Sequence, residues 1–96
     1  MADDVVPQPL PSAAQAAAIA FLARYDNATL ALYRIHLKVL FAWCEEHRLD
    51  PLGLQRVHLE MFRRYLTEER CNLATTVAAR LTTIRTFYRF AVIDGY

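Results

Sequence analysis

The chain has 96 residues, a length that suits one small domain and leaves no room for a second. Its hydrophobic content is 55%, yet no apolar run approaches the ~18 residues of a membrane span, so we expect a soluble globular protein. The net charge of +1 excludes a strongly acidic or basic protein, and any nucleic-acid partner must be sought in how the charges are distributed.

The amino end of the chain predicts a lead-in followed by a helix. Residues 1–11 contain three prolines and no periodicity, which indicates a flexible or extended segment before a domain over residues 12–96. Ser12 is a candidate N-cap for a first helix over residues 13–24, where alanines give high helix propensity. These small side chains would let another helix approach closely, and we expect this helix to contact a neighbouring subunit.

A second helix is predicted to begin at a cap on Asn27 and to run to about His47. Apolar residues repeat along it at helical spacing and predict the central core helix. They are Leu30, Tyr33, Leu37, Leu40, Phe41 and Cys44. Arg34 and Lys38 are four residues apart and therefore lie side by side.

Two further helices complete the predicted fold. A loop marked by Asp50, Pro51 and Gly53 leads to a third helix over residues 57–70, whose mixed charges indicate an ordinary solvated face. The last helix follows a short break and ends before Gly95, a typical C′ glycine. Because no strand pattern of useful length occurs, we predict an all-α domain, a compact bundle of about four helices.

The last helix carries the most informative pattern. At about 100° per residue, one face is predicted to pack, and the roughly opposite one is predicted to face outward. The packing face holds Val77, Leu81, Ile84, Tyr88 and Ala91, and the outer face holds Asn72, Thr76, Arg80 and Thr83. No acidic residue occurs between Glu69 and Asp94, or between Ala28 and Cys44. A basic, hydroxylated face suits a phosphate backbone, although a solvated face on a core helix is the alternative.

Residue patterns typical of enzymes and metal sites are lacking in this sequence. Cys44 and Cys71 lack CxxC spacing and predict small buried hydrophobic residues, and adding His47 and His58 still gives no standard ligand spacing. No carboxylate pair, nucleophile with base, or glycine-rich phosphate loop stands out, so we expect no metal and no cofactor. The segment 13–20 lacks the features of a signal peptide, which predicts a cytoplasmic protein.

Three segments together resemble a known family. They are a helix with Thr29-x3-Tyr33-x3-Leu37 that ends in Phe41-Ala-Trp43, the helix HLEMFRRYL, and ATTVAARLTTIRTFYRFAVIDG. In this order they are similar to the N-terminal core-binding, SAM-like domain of phage and bacterial tyrosine recombinases, in particular the integrases of actinobacteria and their phages. The resemblance covers about residues 12–96. It implies a four-helix domain that clamps a core attachment site on double-stranded DNA while a separate catalytic domain performs strand exchange.

The resemblance also implies which residues bind DNA. In this family the second and fourth helices lie toward the major groove, and here these are the two segments without acidic residues. The matching positions are Thr29, Arg34 and Lys38 on the second helix and Thr75, Thr76, Arg80 and Thr83 on the fourth. Arg80 is the strongest candidate, whereas Arg85 falls away from this face. Thr76 has the alternative of bonding back to the preceding turn.

The parts of the family pattern that this chain lacks lead to further expectations. The catalytic tyrosine, arginines, lysine and histidines belong to the C-terminal domain and cannot be assigned before Tyr96, so we expect this chain to be catalytically inert. Its partners would be its own catalytic domain and other copies on DNA, with no membrane, and the Met1 start predicts no arm-binding domain in front. The alternative function is a helical protein-interaction domain whose partner fills an apolar groove left by Leu32, Ile35 and Trp43.

Overall fold

The computed structural model describes residues 12–96, and four helices account for most of them. The helices are α1 (Ala13–Leu22), α2 (Asn27–Glu46), α3 (Arg56–Glu68) and α4 (Ala74–Ile93), with a 3₁₀ turn at Pro51–Gly53 before α3. No strand occurs in these residues, and the predicted all-α, four-helix fold is confirmed. None of the helices is long and apolar enough to cross a membrane. The lead-in predicted for residues 1–11 lies outside the described residues.

Local sequence signals fix one end of α1 and one end of α4. The Ser12 hydroxyl accepts a hydrogen bond from the Gln15 amide at 3.1 Å, and Gln15 Oε1 accepts one from the Ser12 amide at 3.0 Å. This reciprocal capping box confirms the predicted start of α1. Gly95 follows α4 with a φ of +86°, a left-handed conformation that glycine adopts without strain, and it confirms the predicted end of α4.

The start of α2 differs from its prediction. Asn27 does not cap the helix; it is the first helical residue and has a left-handed φ of +53°. Asp26 occupies the N-cap position, but its side chain makes no capping hydrogen bond. Asparagine tolerates the left-handed region better than most residues, which explains how Asn27 turns the chain into α2. Within residues 12–96 the first-turn amides of α2 therefore have no side-chain acceptor.

The two cysteines have different environments. Cys44 is buried in the core as predicted, and burial raises the pKa of its thiol to about 11. Cys71 is exposed and lies in the connection between α3 and α4 with a left-handed φ of +53°, so its predicted burial is wrong. No glycine marks this turn, although a residue with positive φ follows the end of α3.

Two clusters of buried side chains form the core, and both involve α4. One joins α1, α2 and α4 around Phe21, Leu37 and Phe87, and the other joins α2, α3 and α4 around Leu40 and Phe62. Partly buried Phe41 and Tyr88 pack against both clusters. Helix α4 thus packs against all three other helices and buries a wide arc of its circumference.

An ion pair fixes the end of α1 to the end of α4. Arg24 donates hydrogen bonds from Nη1 and Nη2 to the two carboxylate oxygens of Asp94, at 3.0 and 2.6 Å. The same guanidinium lies 4.1 Å from the ring centroid of Phe90, within the range of a cation–π interaction. The first and last helices are therefore held together by charge as well as by apolar packing.

Candidate nucleic-acid interface

Helices α2 and α4 lie against each other, and a buried polar pair marks their contact. His36 of α2 and Thr83 of α4 are 3% and 2% exposed, and His36 Nδ1 lies 2.7 Å from Thr83 Oγ1. The Thr83 hydroxyl donates its only hydrogen to the carbonyl of Ala79, at 3.1 Å. Both contacts are satisfied together when His36 carries its proton on Nδ1 and donates it to Thr83, and we assign this tautomer on that basis.

Arg80 and Thr83 do not face outward, and this part of the sequence-based prediction is wrong. Arg80 is only 9% exposed and shares the buried face of α4 with Val77, Ile84 and Phe87. The predicted packing stripe lacks Phe87 and corresponds to a helix that packs against one neighbour, whereas α4 packs against α1, α2 and α3. Its buried arc is therefore wider, and Thr83 has no free surface from which it could contact a ligand.

Arg80 is a buried cation that has no hydrogen-bond partner for two of its nitrogens among the described residues. Its Nε and Nη1 atoms are inaccessible and make no hydrogen bond within residues 12–96. Burial lowers its pKa, the charge of Arg70 lowers it further, and Tyr65 acts in the opposite direction. An arginine side chain nevertheless stays protonated at neutral pH, so a full positive charge remains inside the domain.

The candidate residues of α2 lie at the surface. Thr29, Arg34 and Lys38 are exposed. Arg34 and Lys38 line the rim of an apolar groove of about 350 Å³ between α1 and α2, whose walls include Ile19 and Leu22 of α1. Successive residues of a helix are about 100° apart, so Arg34 and Lys38 point roughly 160° away from His36, the residue of α2 that faces α4. The structure therefore does not bring them together with Arg80 of α4.

The remaining candidates lie in the first turn of α4. Thr75 is exposed and Thr76 is half-buried, and neither hydroxyl is hydrogen-bonded within residues 12–96. The alternative for Thr76 was a hydrogen bond from its hydroxyl to a carbonyl of the preceding turn. Thr83 and Thr86 make such bonds instead, and the Thr86 hydroxyl donates to the Thr82 carbonyl at 3.0 Å. The hydroxyls of Thr75 and Thr76 are therefore available to a ligand.

The outer arc of α4 carries residues that the sequence-based prediction did not assign to DNA. Thr82, Arg85 and Arg89 are exposed, and Thr86 is half-buried. Arg85 lies on the side of α3, where it shares a groove with Arg63. When the packing face of α4 is centred on the large apolar residue Phe87, and not on Val77, the helical spacing places these residues on the outward side.

Together α2 and α4 form a surface with cations at both borders. Arg34 and Lys38 stand on the side of α1, and Arg85 and Arg89 stand on the outer and α3 side of α4. Between them lie exposed apolar side chains of α2, namely Leu32 and Ile35, and the threonines of α4. Neither residues 28–44 nor residues 74–93 include an acid, so this α2–α4 surface is positive without internal neutralisation.

The apolar groove expected beside Leu32, Ile35 and Trp43 is not formed. Trp43 is buried and packs on Phe62 with ring centroids 5.2 Å apart, so it offers no surface. Leu32 and Ile35 are about half exposed and stand on the α2–α4 surface. The apolar groove that the structure does contain lies on the opposite side of α2, against α1.

The buried histidine predicts a pH dependence of stability. Burial, and secondarily the charge of Arg80, lower the pKa of His36 from its usual value of about 6.5. The folded chain therefore keeps His36 neutral while the unfolded chain takes up a proton near pH 6.5. This contribution to stability is fully present above about pH 6.5 and is lost as the pH falls below it, toward the folded-state pKa.

We expect the wild-type Tm to fall by a few degrees between pH 7.5 and pH 5.5, and His36→Gln to show a smaller fall. Thermal unfolding followed by circular dichroism at several pH values measures both. His47→Gln is the matched control, because it removes an exposed histidine in place of the buried one. Equal pH dependence in the wild type and His36→Gln would contradict the assignment to His36.

Comparison with known proteins identifies relatives of this sequence. Residues 14–95 match the sequence family described as the phage integrase N-terminal SAM-like domain. The chain is 29% identical over 65 residues to the tyrosine recombinases XerC of Leptospira interrogans serogroup Icterohaemorrhagiae, from serovar copenhageni strain Fiocruz L1-130 and serovar Lai strain 56601. The match covers 68% of this chain but only 21% of each relative, so the chain spans about a fifth of their length. No solved structure matches significantly.

Proposed function

The chain belongs to the phage integrase N-terminal SAM-like domain family, and from this membership and the α2–α4 surface we propose that it is the DNA-binding module of a tyrosine recombinase. The module clamps one half-site of a core attachment site on double-stranded DNA. A separate catalytic domain of the same recombinase then performs strand exchange, and this chain alone catalyses none. The module thus supplies affinity and position for chemistry that occurs elsewhere.

The observation that carries this proposal is the arrangement of charge on the α2–α4 surface. Cations at two opposite borders suit the phosphates that flank a groove, because phosphate contacts set the position of a protein on a duplex. Leu32 and Ile35 between them suit thymine methyl groups, and threonine hydroxyls suit either base edges or phosphates. A major groove about 12 Å wide admits a helix such as α2.

The residues have different roles in this proposal. Arg34 and Lys38 neutralise phosphates along one border of the surface, and Thr29 and Thr75 bind phosphates at the first turns of their helices. Thr83 has a positioning role instead, because its bond to His36 fixes α2 against α4. The spacing of the two helices then determines which base pairs the surface can span.

The proposal is tested by titrating the chain into a labelled duplex that contains the recombinase core site, and into a scrambled duplex, at several salt concentrations. With about three to five phosphates neutralised, log Kobs should fall against log salt with a slope of about −3 to −4.5. The core site should bind more tightly than the scrambled duplex. Equal affinities would leave only non-specific DNA binding, and no binding at low salt by the folded chain would overturn the proposal.

A second candidate function is favoured by the apolar groove between α1 and α2. Its walls are almost wholly apolar, and Ile19 is largely exposed beside it, so a helix of another protein or of a neighbouring recombinase subunit could fill it. Failure of the folded chain to bind any duplex would favour this protein-interaction function. In a DNA-bound assembly both functions are compatible, because the groove and the α2–α4 surface lie on different sides of Arg34 and Lys38.

A further inference from the structure

The groove between α1 and α2 is lined by apolar side chains and by two cations. The apolar residues include Ile19 and Leu22 of α1 and Phe41 of α2, and Ile19 is 64% exposed. The two charged residues of the lining, Arg34 and Lys38, are both positive. A ligand that matches this α1–α2 groove therefore combines apolar side chains with negative charge.

The eleven residues that precede Ser12 have this combination of side chains. In their sequence, MADDVVPQPLP, Asp3 and Asp4 are the only charged side chains, and they are followed directly by Val5 and Val6. Three prolines occur in the next five residues. Proline lowers the conformational entropy that a segment loses on binding, and proline-rich segments commonly bind grooves lined by aromatic residues. The sequence of residues 1–11 thus matches both the apolar lining and the charge of the groove.

The groove lies beside the point at which this segment joins α1. Ser12 lines a second pocket that shares three lining residues with the α1–α2 groove, namely Gln15, Lys38 and Phe41. Along α1 the groove runs from Gln15 to Leu22, about 10 Å at a rise of about 1.5 Å per residue. An extended chain covers roughly 3.3 Å per residue, so the chain from Ser12 back to Asp4 can span about 26 Å. The segment is therefore long enough to lie along the whole groove.

A segment of the same chain has an advantage over a separate partner protein. Because residues 1–11 are covalently joined to the first residue before α1, their effective concentration at the groove is on the order of millimolar. At such a concentration even a weak contact forms in most molecules. The covalent connection and the matching charge both favour this segment over a helix of a second protein.

We propose that residues 1–11 bind in the α1–α2 groove of their own chain and there compete with DNA. Val5 and Val6 pack among the apolar residues of the groove, and Asp3 and Asp4 neutralise its two cations. Because the same cations form one border of the α2–α4 surface, the bound segment makes them unavailable to phosphates. Binding of the segment follows from the groove and the sequence, whereas its effect on DNA rests on the proposed function.

A spin label at position 2 tests binding of the segment in the absence of DNA. The label is attached through Ala2→Cys in a full-length chain that also carries Cys71→Ser, because Cys71 is exposed and the other cysteine is buried. We expect it to broaden the methyl resonances of Ile19 and Leu22. The methyl resonance of Met61 on α3, which does not line the groove, should stay sharp.

Two further samples identify the contact and the chain that makes it. Val5→Ser with Val6→Ser should remove the broadening, since these changes delete apolar contacts and leave the net charge unaltered. Val57→Ser with Val92→Ser is the matched control, because it changes two exposed valines outside the segment and should preserve the broadening. Isotope-labelled chains without a spin label, mixed with spin-labelled chains without isotopes, should show no broadening if the segment binds its own chain.

Duplex binding by the same variants, without the spin label, measures the competition with DNA. Val5→Ser with Val6→Ser should bind a labelled core-site duplex about fivefold more tightly at low salt, as expected if roughly four-fifths of wild-type chains hold the segment in the groove. This gain occurs at unchanged net charge, so it is not a general electrostatic effect. Val57→Ser with Val92→Ser should bind as the wild type does, and circular dichroism verifies that each variant is folded.

Each combination of results has a defined meaning. Broadening within one chain, together with tighter duplex binding by Val5→Ser with Val6→Ser, supports the proposal. Broadening in the mixed sample would overturn the assignment to the same chain and give the groove to residues 1–11 of a second copy. Absence of broadening at Ile19 and Leu22 would overturn binding of the segment and leave the groove to another protein. Broadening with unchanged duplex affinity would overturn the competition alone. Broadening in a chain that binds no duplex, with or without the valine changes, would retain the bound segment and overturn the proposed function.

Discussion

Replacing Arg34 and Lys38 together with glutamine is expected to weaken binding of the chain to duplex DNA by about 100-fold at low salt, or about tenfold for each lost phosphate contact. Both side chains are exposed on one border of the α2–α4 surface, and neither pairs with an acid within residues 12–96, so we expect the cations to neutralise phosphates. Glutamine keeps good helix propensity and removes only the charge. Fluorescence anisotropy with a labelled core-site duplex measures the change.

The salt dependence gives a sharper readout than affinity alone. Loss of two phosphate contacts should reduce the slope of log Kobs against log salt by about 1.8. Arg56→Gln with Arg64→Gln is the matched control, since it also removes two positive charges, from exposed α3 residues that pair with Glu60 and Glu68 at 3.3 and 3.8 Å. This control should keep the wild-type slope. Equal reductions in both double variants would show a net-charge effect and contradict binding through the α2 border.

The parts of the fold that were predictable from sequence are those set by local interactions. The capping box at Ser12, the C′ glycine at Gly95 and the helical periodicity of α2 depend on residues within a few positions of each other. Such signals determine where a helix begins, where it ends and that its core side is apolar. The role of Asn27 does not follow from local sequence, because an asparagine at a helix start is compatible both with capping and with a left-handed turn.

The helical phase of α4 was not predictable in the same way. A stripe of apolar residues identifies a packing face when a helix contacts one neighbour, but α4 contacts three helices and buries polar residues as well. Thr83 is buried because His36 of α2 supplies its hydrogen-bond partner 47 residues away, and no local pattern reveals that pairing. Arg80 was recognised as important by charge, but its burial follows from the same tertiary packing.

The choice between two possible apolar grooves shows the same limit. Both sides of α2 carry apolar residues beyond the core stripe, so the sequence indicates a groove without indicating its side. The structure buries Trp43 against Phe62 on α3 and leaves the groove next to the small side chains of α1. Of the small residues of α1, Ala18 lines this groove, whereas Ala14 and Ala17 are buried within the domain.

Phe87→Ala is expected to produce the largest loss of stability, about 3–5 kcal/mol, because it removes a fully buried ring at the centre of the domain. The ring of Phe87 lies 5.7 Å from Phe21 of α1, 6.0 Å from Phe41 of α2 and 5.3 Å from Tyr88, measured between centroids. Small domains have about 5–15 kcal/mol in total. The Tm should fall by roughly 12–40 °C, measured by calorimetry or circular dichroism.

Val92→Ala is the control on the same helix, since Val92 is exposed and its truncation should change stability by less than about 0.5 kcal/mol. Comparable Tm values for Phe87→Ala and the wild type would contradict the assignment of Phe87 to the centre of the core.

Phe87→Ala also separates folding from contact in the DNA-binding measurements. Phe87 has no accessible surface, so its variant should lose affinity only through the fraction of chain that is unfolded, and excess duplex should raise its Tm. Arg34→Gln with Lys38→Gln should show the reverse, with an unchanged Tm and weaker binding at every temperature at which the chain is folded. If Phe87→Ala remained weak in DNA binding where it is fully folded, the α2–α4 spacing itself would have changed. In that case the packing beneath the surface, as well as the charges on it, would determine how the domain fits the duplex.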